Sequence, residues 1–172
     1  MNGGVQARTK PSAASRRQEA VIVFAVAGTD FAIPANAVLE IRSTDNLAGE
    51  TATVELAEIP WVRHTIERSG VLQYVVSIGT LLGLARTRPS LVLLLRGVRC
   101  ALLVDRIERM DAVSSIFSLP QAFQGDERRW YLGLALFEDG VVPVLNPNGF
   151  LTRESLERLD ARSAASLVGA TV

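Results

Sequence analysis

The chain has 172 residues, of which 18 are basic and 18 acidic, with one cysteine, one histidine and 48% hydrophobic residues. That length is enough for one compact domain with a real core, burying about 70% of its unfolded surface. Zero formal net charge removes the long-range field that would draw in nucleic acid or an anionic membrane surface. A single cysteine excludes an intrachain disulfide, and no stretch reaches the ~20 apolar residues that span a bilayer.

Residues 1–19 are small, polar and basic without period, so they bury too little apolar area to offset ordering entropy and read as a disordered arm. They also lack the apolar centre of a secretory signal, which makes the cytoplasm the expected compartment, with no insertion into a membrane. Residues 21–26 are apolar on both faces and rich in β-branched side chains, the mark of a strand covered on two sides. Gly28 breaks this run and Phe31-Ala32-Ile33 resumes it, a hairpin signal. Pro34 closes the second strand, and Val38-Leu39-Glu40-Ile41 follows as a short turn passing into a strand.

Residues 43–58 are polar and read as a long excursion or a weak edge strand. Ile59-Pro60-Trp61-Val62 is an apolar cluster suited to lidding a core, and Arg63-His64-Thr65 reads as polar loop. Residues 71–76 are β-rich, and Gly83 fits the end of the short helical turn that follows. Beyond a polar connector ending at Pro89, residues 91–95 have no polar face, which places that strand where two groups of strands meet. A turn at Gly97 leads to a second buried strand ending on Asp105, and a third strand leaves it.

Residues 114–129 read as a long loop, and 130–137 with 141–145 as a hairpin around Asp139-Gly140. From Thr152, a candidate N-cap, Leu156 and Leu159 with Glu154 and Arg158 at i, i+4 give a terminal amphipathic helix, fraying past Arg162. Many short strands and one late helix define an all-β class, in two strand groups divided near Pro89.

No catalytic constellation is present in these residues. His64 would have to serve any Ser-His-Asp or Cys-His arrangement, and Cys100 lies in an apolar strand as a small buried hydrophobe. One cysteine and one histidine do not supply a zinc site, and no glycine-rich phosphate cradle occurs, so no metal or cofactor is expected. Asp105 is read as a structural acid that accepts backbone N–H bonds or pairs with an arginine. Glu40, between Leu39 and Ile41, belongs at the border of core and surface, where a carboxylate needs a partner. Among the larger aromatic residues, Trp61 and Phe123 are the candidate exposed contacts, because both lie in Pro- or Gln-containing loops.

Five segments in order carry a resemblance: the opening strand pair with Phe31-Ala32-Ile33-Pro34, Val38-Leu39-Glu40-Ile41, Ile59-Pro60-Trp61-Val62, Leu102-Leu103-Val104-Asp105, and Val142-Pro143-Val144-Leu145-Asn146-Pro147. Over residues 20–152 the chain resembles the CheW-like domain, the coupling module of bacterial chemosensory signalling, in a divergent form; residues 153–172 are then a C-terminal helix and tail. The resemblance implies two intertwined five-stranded barrels of SH3-like type with short helical turns, and a non-catalytic adaptor. Its implied partners are the regulatory domain of a histidine kinase, the cytoplasmic tip of a methyl-accepting chemoreceptor, and other CheW-like proteins.

The implied receptor groove holds Val38, Glu40 and Ile41 with Arg68, Ser69 and Gly70. Where the family has arginine near the acid matched by Glu40, this chain has Ser69, so the expectation is a replacement arginine, Arg68 or Arg63, or an exposed Glu40. The alternative reading is a scaffold or competitor that joins kinase or adaptor through barrel edges alone, and a small-ligand β-barrel is a third.

Overall fold

In the computed structural model of the protein, residues 18–47 and 50–169 are described; most of the proposed N-terminal arm lies outside them. The first apolar run forms β1 (Glu19–Val26), which turns back into β2 (Thr29–Pro34). The chain then leaves for a second sheet: β3 (Val38–Ser43), β4 (Thr51–Thr53), β5 (Val62–Arg68), β6 (Val71–Ser77), β7 (Leu91–Leu95) and β8 (Cys100–Val104), with the one-turn helix α1 (Ile78–Leu81) after β6. It returns to the first sheet with β9 (Arg106–Val113), β10 (Ile116–Phe117), β11 (Tyr131–Phe137) and β12 (Gly140–Leu145), and ends in α2 (Arg153–Gly169).

Strand order is β10-β11-β12-β2-β1-β9 in one sheet and β3-β7-β8-β6-β5-β4 in the other. Both are built on one plan. A hairpin (β11–β12, β7–β8) lies parallel beside the second strand of another hairpin (β1–β2, β5–β6), through the pairs β12–β2 and β6–β8. The division expected near Pro89 is therefore corrected: β7 and β8 belong with β3 to β6, and the last four strands join the first two. Each sheet has six strands, the shortest being the two-residue β10 and the three-residue β4.

Alternation along the strands sorts the apolar side chains into three clusters. Val21 and Val23 on β1 point inside the first sheet with Ala32, Ala135 and Val144. Ile22 and Phe24, their neighbours, face the space between the sheets, with Ile33, Tyr74, Leu93 and Leu102. On β7, Val92 and Leu94 fill the second sheet's own interior with Ile66 and Ala101, while Leu93 and Leu95 join the central cluster. Period-2 geometry thus explains why these two strands have no polar face: each separates two cores.

Ion pairs draw the edges of each sheet together. Arg109 on β9 reaches Asp139 beyond β11 (Nη2 to Oδ1, 3.2 Å) and lies 4.8 Å from the Phe137 ring centroid. Arg68 on β5 reaches Glu40 on β3 (Nε to Oε2, 3.4 Å).

Two expected loops contain regular structure. The stretch around His64 lies in β5, paired with β6, because buried Val62, Thr65 and Ile66 outweigh the polar residues between them. The loop over 114–129 contains β10 and the start of a 3-10 turn (Asp126–Trp130). Gly83, at φ +65°, closes α1: Leu84 N–H donates to Gly79 O at 2.8 Å and Gly83 N–H to Thr80 O at 3.3 Å.

Thr152 caps α2, its Oγ1 accepting from Ser155 N–H at 3.1 Å. The i, i+4 pair on α2 is Arg153 with Glu157 rather than Glu154 with Arg158, and Arg158 instead reaches Glu58 at 2.6 Å. The helix continues past Arg162 to Gly169. Leu159, fully buried, sets it against the central core, where removal of such a side chain costs about 2–5 kcal/mol.

Candidate partner-binding site

The edge strand β3 presents Leu39 and Ile41 to solvent, 37% and 42% exposed, while Val38 is half-buried against the central core. The register slips between Val38 and Glu40, so Leu39 is an extra, unpaired residue between the Val38–Leu95 and Glu40–Leu94 pairs. A bulge of this kind twists the edge and re-aims its side chains. Glu40 then meets two arginines: Arg68 at 3.4 Å, and Arg42 at 3.8 Å. Arg42 also forks onto Glu50, with Nη1 to Oε2 at 2.7 Å and Nη2 to Oε1 at 3.1 Å. Its guanidinium holds the Glu50 carboxyl below the usual carboxylate range.

Arg68 is delivered by the turn that follows it. Arg68 pairs with Val71, leaving Ser69 and Gly70 as a two-residue hairpin loop with φ of +51° and +75°. This is the twist-matched turn favoured between antiparallel strands. The sequence expectation for Glu40 resolves on both counts: its side chain is 41% exposed and Arg68 is its replacement partner. The six groove candidates thus divide between β3 (Val38, Glu40, Ile41) and the β5–β6 turn (Arg68, Ser69, Gly70), joined by one ion pair.

Asp105 lies at the β8–β9 junction and ties three segments together. Its Oδ2 accepts from Ala27 N–H and its Oδ1 from Thr87 Oγ1, each at 2.7 Å, and its own N–H donates to Ala25 O at 2.9 Å. Ala27 has φ +53° and precedes Gly28 at +78°, so the carboxylate holds the first hairpin in the same turn geometry as the second.

Phe123 is 41% exposed, as its loop position implied, but Trp61 is half-buried against the central core and its indole Nε1 is shielded from solvent. The exposed apolar surface that the strand pattern concealed is on the terminal hairpin. Leu136 and Val141 sit opposite one another at 57% and 55% exposure, with Phe117 on β10 at 49%. Cys100 is fully enclosed, and burial pushes its thiol pKa well above the ordinary range. Among the described residues no three His, Cys, Asp or Glu side chains are grouped to hold a metal ion, and no helix is long and apolar enough to cross a membrane.

Two interleaved β-sheet units thus carry an edge strand with exposed Leu39 and Ile41 framed by ion pairs. The crystal structure of the scaffolding protein TtCheW from Thermoanaerobacter tengcongensis is similar, with a TM-score of 0.62 at 17% identity, covering 76% of this chain and 90% of that one. A family profile described as CheW-like domain matches residues 20–155, and the chain belongs to that family. A search of curated proteins finds no significant match.

Proposed function

We propose that the protein is a cytoplasmic adaptor that couples a chemoreceptor's cytoplasmic tip to a histidine kinase, at membrane receptor arrays governing chemotaxis or surface motility. Family membership supports the adaptor class. The observation that carries the receptor arm is the Glu40–Arg68 pair beside exposed Leu39 and Ile41: a charged rim around apolar anchors suits a helical partner with its own apolar stripe. Ser69 does not remove the guanidinium from this site, because Arg68 supplies it. The kinase regulatory domain, and other CheW-like proteins, would meet exposed barrel edges, where charged rims select partners.

Calorimetric titration against the receptor signalling tip and the kinase regulatory domain, each separately, tests the reading. Both are expected to bind, with Glu40→Ala weakening the receptor arm about tenfold and leaving the kinase arm unchanged. Binding of the kinase domain alone would instead make the chain a scaffold or competitor, and binding of neither would overturn the adaptor reading.

A further inference from the structure

On the second sheet, away from Glu40 and Arg68, a cleft of about 450 Å³ opens between β5, the end of β6, α1 and the connector to β7. Its rim carries Arg63, His64 and Arg86, with the hydroxyls of Ser77, Thr80 and Thr87, and no carboxylate lines it. In a chain of zero formal charge this is a local concentration of one sign. Among the described residues neither the Arg63 nor the Arg86 guanidinium has a hydrogen-bond or ion-pair partner; Arg63 is held through its backbone carbonyl, which accepts from Val54 N–H at 2.9 Å. The carboxylate of Asp105 is satisfied by Thr87 and the Ala27 N–H.

Local backbone geometry builds this arrangement. Val62 pairs with Val76 and His64 with Val75, so Arg63 is the extra residue of a bulge. Neighbouring residues on a regular strand point to opposite faces, whereas here Arg63 and His64 both line the cleft. The wall also includes Trp61, whose indole Nε1 has no acceptor among the described residues, and the apolar side chains of Val26, Leu84 and Leu103. A second cavity of about 480 Å³, at the mouth of the second sheet's own core, shares His64, Val75, Pro89 and Leu103 with the first and adds apolar Leu47 and Val92, with Thr44, Asp45 and Thr51 on its polar side. Arg63 and Arg86 line the first cavity alone, and the only carboxylate, Asp45, lines the second alone beside Leu47 and Val92. This suits a molecule with an anionic head kept in the first and an apolar or flat body reaching toward the second.

We propose that this cleft binds a small organic anion, with a phosphate or carboxylate held between Arg63 and Arg86 and its apolar body directed past His64 toward Leu47 and Val92. The site is separate from the proposed receptor groove, and the inference stands whether or not the chain couples a kinase to a receptor.

The test is calorimetry and amide chemical-shift titration of the full chain with AMP, octanoate and inorganic phosphate. AMP reports a phosphate head on a flat body and octanoate a carboxylate on an aliphatic one. The expected result is that at least one organic probe binds at least about tenfold more tightly than inorganic phosphate, with shifts at Gly79, Gly83 and Leu103. The Arg63→Gln, Arg86→Gln double variant, unchanged in thermal stability, should lose about tenfold or more of that affinity. Organic probes binding no better than inorganic phosphate would overturn the proposal, as would a double variant that binds like the parent. Loss of kinase-domain binding in that variant without any anion binding would assign the arginines to a partner's acidic side chain, and overturn it equally.

Discussion

Replacing Asp160 by alanine removes the acceptor at which α2 is fastened to the second sheet. Arg99 donates to both carboxylate oxygens, at 2.8 and 2.6 Å, and the hydroxyl of buried Tyr74 donates to Oδ1 at 2.5 Å. The arginine lies over the Tyr74 ring, 5.3 Å from its centroid, and donates through Nε to Leu72 O. A hydrogen bond to a charged acceptor contributes about 1.5–3 kcal/mol. The ion pair, with its side chains 34% and 43% exposed, adds only about 0.2–1 kcal/mol after screening. Better helix propensity returns roughly 0.5 kcal/mol, and Ser163 Oγ, 3.5 Å from the tyrosine hydroxyl, remains as a poor substitute acceptor.

The net loss is about 2 kcal/mol, a fall in Tm of roughly 4–8 °C for a chain of this size. Thermal unfolding followed by circular dichroism measures it, and Asp160→Ala combined with Tyr74→Phe should lose about 1 kcal/mol less than the two singles together. Hydrogen bonding from Arg99 holds the Asp160 carboxyl below its ordinary range. Its folded pKa is therefore below the unfolded value near about 3.9, so the contribution is complete above that value and disappears as pH falls through the lowered folded one. A variant melting within about 1 °C of the parent at neutral pH, or a difference that persists at the acid end, would refute the assignment of Asp160 as the fastening point.

Cys100 should resist a thiol-reactive disulfide reagent at mildly alkaline pH and react at once in guanidinium, because burial disfavours its thiolate; rapid labelling of the native protein would contradict the enclosure. Ser69→Gly should raise Tm by about 2–4 °C in the same unfolding assay, since the serine adopts a left-handed conformation at a cost of roughly 1 kcal/mol. A lower Tm would show that the lost side chain outweighs that relief.

The strands most legible in the sequence are those whose environment is uniform. β1 and β7 lie between two cores, so unbroken apolar runs announced them, and Asp105 at the end of β8 behaves as a backbone acceptor at the expected junction. β5 was concealed because its bulge places Arg63 and His64 together on the cleft wall, which destroys the alternation that marks a half-buried strand. β11 conceals its orientation for a steric reason. Gly133 and Ala135 are the buried residues and Leu132 and Leu136 the exposed ones, the reverse of a hydrophobicity ranking. A Cβ at Gly133 would collide with the backbone of Phe117, so close approach by β10 selects the small residue inward. The surroundings of Glu40 were legible as a replacement arginine, Arg68 or Arg63, or an exposed carboxylate; the turn at Ser69-Gly70 brings Arg68, while Arg42, two residues along the same strand, was not foreseen. The interleaving of sheets was not legible around Pro89, because local patterns record which strands exist and not which distant strands they join.

That interleaving orders events during synthesis. Strands β3 to β8 form one continuous stretch of chain and meet their partners as they emerge, whereas β1 and β2 are made first and must await β9 and β12; Ile22 pairs with Met110, and Ala32 with Val144. At roughly 5–20 residues per second, the opening hairpin spends several seconds on the ribosome with Val21 and Val23 uncovered. Its later partners arrive from the far end of the chain, so the first sheet is the natural place for premature association between nascent copies and for rescue by chaperones.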